Sequence, residues 1–136
     1  MICKIRDFIA SWEGFGGIPF PVDLLGPLPG CGAVMPRGEE ILRRQEDIRG
    51  RVALRKRLTV HVLLAQALQQ DGWQPHQLLL DFGSWALGHV PQLGADTRLV
   101  LRGPELVSRG DDDLGRYRME LAFEFTEFLE KEQENG

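Results

Sequence analysis

A chain of 136 residues is long enough to bury a core and short for two domains, so a single domain over 1–136 is expected. Hydrophobic residues make up 43% and charged residues 26%, which places the sequence among globular proteins and excludes a disordered one. The formal net charge of −4 lacks the basic excess that binding along a phosphate backbone needs, so sequence-specific nucleic acid is not an expected partner.

The first segment places Ile2, Ile5, Phe8, Ile9 and Trp12 at helical spacing, with Lys4, Arg6, Asp7 and Ser11 on the other faces and Gly14 as a stop. This predicts a short amphipathic helix whose aromatic residues anchor it to a core. The acid at Asp7 and the lack of a long apolar run argue against a signal peptide, and no run of apolar residues is long enough for a membrane-spanning helix. From Gly14 to Gly38, glycines recur among Pro19, Pro21, Pro27, Pro29 and Pro36, which predicts an irregular connection over 14–38 with one edge strand near Ile18 to Leu25. Prolines stand where a phosphate-binding helix would have to open, and no Gly-Lys-Ser/Thr follows, so no nucleotide cofactor is expected.

Beyond Gly38 the period changes to two. Glu40 to Asp47 reads as a polar strand, Ile48-Arg49-Gly50 as a turn, and Val52, Leu54, Leu58, Val60 and Val62 as the buried phase of a second strand. Lys56 falls in that apolar phase, which is tolerable if its ammonium reaches water at a sheet edge. Trp73 to Leu87, with Leu78, Leu79, Phe82, Trp85 and Ala86 on one stripe, predicts a second helix closed by Gly88 and Pro91. Thr97 to Leu101 and Glu105 to Arg109 read as short strand pieces. Tyr117, Met119, Leu121, Phe123 and Phe125 give the clearest strand signal, and the acidic end over 127–136 is expected to fray. The fold class is therefore α+β: a small mixed or antiparallel sheet of four to five strands packed against two helices.

Catalytic signals are sparse. His61, His76 and His89 form no metal-ligand spacing with one another or with Cys3 and Cys31, which read as free thiols. Ser11, Ser84 and Ser108 sit in no nucleophile elbow. Asp111, Asp112 and Asp113 form the sharpest charge cluster but lack the alternating ligands of a calcium loop, so a solvated or partner-binding loop is expected and no metal. An enzymatic or small-ligand-binding domain would draw on Asp81, His61 and Arg57. The other charged positions, Arg43, Arg44, Glu46, Asp47, Arg116 and Arg118, join the Asp111–Asp113 loop as candidates for a contact between subunits.

The order of helix, Gly/Pro stretch, hairpin, helix and closing strands resembles the tail terminator and minor tail or minor capsid proteins of long-tailed bacteriophages and prophages. The resemblance is carried by Glu46-Asp47-Ile48-Arg49-Gly50, by Trp85 to Gly94 with Pro91-Gln92-Leu93-Gly94, and by Gly115-Arg116-Tyr117-Arg118-Met119, and the proline-rich segment departs from it. It implies a ring of six copies, without a cofactor or catalytic residues, assembled in the host bacterial cytoplasm and placed at the head-proximal end of the virion tail. Its implied partners are the tail tube protein and the head completion or connector proteins. A head-side connector or another minor virion protein is the alternative within the same class.

Overall fold

The structure, a computed structural model, describes residues 2–16, 20–22, 31–67, 73–109 and 114–129. Helix α1 spans Ile2–Ala10 and leads into a single 3-10 turn at Glu13–Phe15. Its stripe forms as the spacing predicts, with Ile5 and Ile9 fully buried. Ser11 stops it by donating its hydroxyl to the Phe8 carbonyl at 2.6 Å, which satisfies one of the acceptors that a helix end leaves open.

Strands β1 (Cys31–Glu46) and β2 (Val52–Ala67) form a hairpin, helix α2 (Trp73–Leu87) follows, and β3 (Ala95–Arg109) and β4 (Leu114–Leu129) complete the sheet. The strand order is β1-β2-β4-β3 and every neighbouring pair is antiparallel. The protein is thus an α+β fold with a four-stranded antiparallel sheet and two helices. The two strands with the cleanest alternation lie in the middle, because only a central strand buries a whole face against helices while pairing on both sides.

Register places Val52, Leu54, Leu58, Val60, Val62 and Leu64 of β2 beside Leu129, Glu127, Phe123, Leu121, Met119 and Tyr117 of β4, all on the helix-covered face. Phe82 and Leu79 of α2 and Ile5 and Ile9 of α1 complete the same buried cluster. Phe8 of α1 stacks on Trp85 of α2 at 5.1 Å and meets Phe123 edge-on at 6.4 Å, so the two helices and the sheet share one aromatic contact. Two glycines allow the close approach. A Cβ on Gly83 would lie 2.7 Å from the Met119 methyl, and one on Gly94 would lie 2.5 Å from the Thr126 carbonyl oxygen.

The structure corrects several boundaries. Residues 31–38, expected to be irregular, belong to β1, and register shifts between Pro36 and Gly38 and between Ile41 and Arg43 absorb the proline and glycine there. Of the strand expected near Ile18 to Leu25, only residues 20–22 are described. Val22 makes one isolated parallel bridge to Val34, with the Val34 amide donating to the Pro21 carbonyl at 3.0 Å. The two pieces expected around residue 103 are one strand, β3, because a register shift between Arg102 and Glu105 accommodates Gly103-Pro104 in an edge strand. Residues 127–129 do not fray but end β4, while 130–136 lie outside the described residues.

Lys56 is also not where its charge suggested. It sits in the central strand β2, its side chain only 17% exposed, and its ammonium lies 3.3 Å from both Glu39 of β1 and Glu127 of β4. Burial acts to lower its pKa, but the hydrogen bonds and charges of the two carboxylates outweigh burial and raise it above the ordinary 10.5.

Candidate functional site

One face of the sheet is helix-free among the described residues and carries the other phase of each strand. On it, the paired positions present seven guanidiniums, Arg43, Arg55, Arg57, Arg98, Arg102, Arg116 and Arg118, and four carboxylates, Glu40, Glu105, Glu120 and Glu124. In a chain of net charge −4, this face has the opposite sign to the whole.

Cross-strand geometry organises these charges. Arg57 donates to Glu40 of β1 at 2.8 Å and to Glu124 of β4 at 3.1 Å. The Glu124 bond and then the Glu40 bond push the Arg57 pKa further up, so its charge is fixed at every pH at which the protein is folded. Glu120 lies 3.3 Å from His61 and 3.7 Å from Arg102, and Arg118 pairs with Glu105. Arg55 donates to the Asp96 carbonyl at 2.9 Å and to the Thr126 hydroxyl at 3.1 Å. Among the described residues, the small side chains between the charges, Ala53, Thr59, Ala122 and Thr126, leave shallow concavities such as the one bounded by Arg57, Arg102, Glu120 and Glu124.

Arg43 and Arg98 differ from the rest. Arg43 lies directly opposite Arg55, a like charge, and Arg98 lies opposite Glu124, whose carboxylate is already engaged by Arg57. Neither side chain has a hydrogen bond or ion pair among the described residues.

The predicted contact residues do not form one patch. Arg43, Arg116 and Arg118 share the helix-free face, whereas Arg44 and Glu46 point to the other, where they approach each other at 3.7 Å. Asp47 builds the hairpin turn: its Oδ1 accepts the Arg49 and Arg51 amides, each at 2.9 Å. Asp111, Asp112 and Asp113 lie outside the described residues. The three residues of the enzymatic alternative are not brought together either. Asp81 is exposed on α2, held by the Gln77 side-chain amide at 2.9 Å, while His61 and Arg57 are on the opposite side of the sheet. No group of His, Cys, Asp and Glu among the described residues has metal-binding geometry.

Sequence reasoning overlooked Glu40, Arg102, Glu105, Glu120 and Glu124 as a network. The signal was present as the polar phase of each strand, but the pairing needs the register.

Among the described residues, both sheet edges are exposed over most of their length. Pro36 to Arg49 is exposed without interruption, and Ile41 is 61% exposed on the β1 edge. On the opposite edge Val100, Leu106 and Val107 are exposed in β3. An exposed strand edge presents unpaired backbone groups that are open to pairing with another strand. Compared with known proteins, the chain matches no protein-family model and no curated protein sequence.

Proposed function

We propose that this protein is a structural subunit of a long-tailed bacteriophage, forming a ring that ends polymerisation of the tail tube and joins the tail to the head completion proteins. The observation that carries the reading is the pair of long uncovered edges on one four-stranded sheet, β1 on one side and β3 on the other. Two different edges on one subunit provide heterologous contacts, and heterologous contacts close into rings when the rotation permits. The element order and the flat charged face agree with a role in assembly rather than in turnover. Termination is then geometric: one face of the ring matches the end of the tube, and the other does not repeat it.

The test is genetic and physical. Phage lacking this chain should make overlong tails not joined to heads, and the purified protein should sediment as a closed oligomer or become one on tube ends. Tails of normal length, joined to heads, in its absence overturn the reading. Replacing Asp111, Asp112 and Asp113 together by Lys addresses the acidic run. An unchanged melting temperature with overlong tails places that run in the contact, and normal tails remove it.

A further inference from the structure

The charges on the helix-free face are ordered along rows that run across the strands. One row reads Glu40, Arg57, Glu124, Arg98 from β1 through β2 and β4 to β3, an unbroken alternation of negative and positive. Inside the chain each neighbour in the first three positions is bonded, Glu40 to Arg57 and Arg57 to Glu124. The alternation stops at Arg98 on the outer edge, where the next charge in sequence would be negative. Strand direction alternates along the same row, because every pair in the order β1-β2-β4-β3 is antiparallel. A strand that extended both alternations past β3 would run in the direction of β1 and present a carboxylate.

We propose that the strand continuing the sheet is β1 of a second copy, so that subunits join head to tail by antiparallel pairing of β3 with the neighbour's β1, and Arg98 pairs with the neighbour's Glu40. This rests on the ring reading and names the surface that closes it. Glu40 is 60% exposed in its side chain and keeps free acceptor positions while bonded to Arg57. A second pair agrees in position: unpartnered Arg43 on the β1 edge stands one row beyond Glu40, on the side where exposed Asp96 precedes Arg98 on the β3 edge.

Backbone geometry sets the length of the contact. β1 is regular from Gly38 to Ile41 between its two register shifts, and β3 is regular from Arg98 to Arg102 between two of its own. These stretches share three rows, where Gly38, Glu39 and Glu40 would oppose Val100, Leu99 and Arg98. The irregularities on either side keep the pairing short, so one contact is weak and closure of the whole ring stabilises it. The same irregularities oppose open-ended sheet growth.

The experiment uses the full chain with Cys3 and Cys31 replaced by Ser. Glu40→Cys and Arg98→Cys are made separately, mixed and oxidised. Within one chain these positions are three strand spacings apart, about 14 Å, so a disulfide between them joins two chains. A covalent dimer from the mixture, and neither single variant alone, is the expected result. In parallel, Arg98→Gln and Glu40→Gln should each move the assembly midpoint severalfold higher in protein concentration, and the double variant should move it no further than either single one, because both remove the same pair. A closed wild-type oligomer that gives no mixed disulfide and tolerates both substitutions overturns the edge pairing while the ring reading stands. Effects of the two substitutions on assembly that simply add overturn the Arg98 to Glu40 assignment. A wild-type chain that stays monomeric at all concentrations and on tube ends overturns both.

Discussion

Two glycines that look alike in the sequence should respond differently to alanine. Gly83 is in the interior of α2, and its new Cβ would meet the Met119 methyl at 2.7 Å and the Leu101 Cδ1 at 3.0 Å. Both are free ends of flexible side chains and can retreat by a rotamer adjustment. Against that small strain, alanine is favoured over glycine in a helix by about 1 kcal/mol, so Gly83→Ala should lie within about 1 kcal/mol of wild type. Gly94 faces backbone. Its Cβ would lie 2.5 Å from the Thr126 carbonyl oxygen and 2.9 Å from the Phe125 ring, and both belong to a strand paired on its two sides. Neither can move without disturbing the sheet, so Gly94→Ala should cost about 1–3 kcal/mol, the usual range for overpacking. Unfolding entropy of about 2.1 cal/mol/K per residue comes to about 0.29 kcal/mol/K for this chain, so a loss of about 2 kcal/mol lowers Tm by about 7 °C. Differential scanning calorimetry of both variants at one protein concentration reads this directly. A Gly94→Ala variant that melts with wild type, or a Gly83→Ala variant that melts more than about 4 °C below it, refutes this packing.

Phe123→Ala should cost about 3–5 kcal/mol and Leu121→Ala about 2–5 kcal/mol by urea unfolding, because both side chains are fully buried between helices and sheet; wild-type midpoints would remove them from the core. Lys56 has a raised folded-state pKa, so its contribution to stability is complete below its unfolded value of 10.5 and is lost as pH rises through the folded value. The stability difference between wild type and Lys56→Met should therefore be flat from neutral pH to about pH 10 and shift against wild type above it. Urea titrations across that range showing a difference independent of pH would mean that the two carboxylates do not hold the ammonium.

Much of the fold was legible because its signal is local. The period of two in Val52 to Val62 and Tyr117 to Phe125 names the buried face of both central strands, and the stripe of Leu79, Phe82 and Ala86 names the helix that covers them. The errors lie where tertiary pairing overrides composition. Pro36 and Gly38 read as loop, yet an edge strand needs only one side of its backbone and absorbs them in a bulge. Glu127 reads as tail, yet Lys56 on the neighbouring strand gives it a partner. The alternating row on the helix-free face depends on which residue of β1 stands beside which of β2. Two register shifts intervene between the turn at Asp47 and the upper end of the hairpin, so counting back from that turn misplaces every row beyond them.

The sheet distributes its irregularities unevenly: β2 and β4 pair without a break from Val52 and Leu129 to Ala67 and Leu114, while every register shift falls on β1 or β3. This decides where the chain can change length. One residue inserted into β2 or β4 would turn everything after it to the wrong face, bringing arginines under the helices and phenylalanines into water. The same insertion in β1 or β3 would enlarge a bulge that already exists. Descendants of this sequence can therefore gain and lose residues along the two outer strands without losing the core, and those outer strands are the ones a neighbouring molecule would meet.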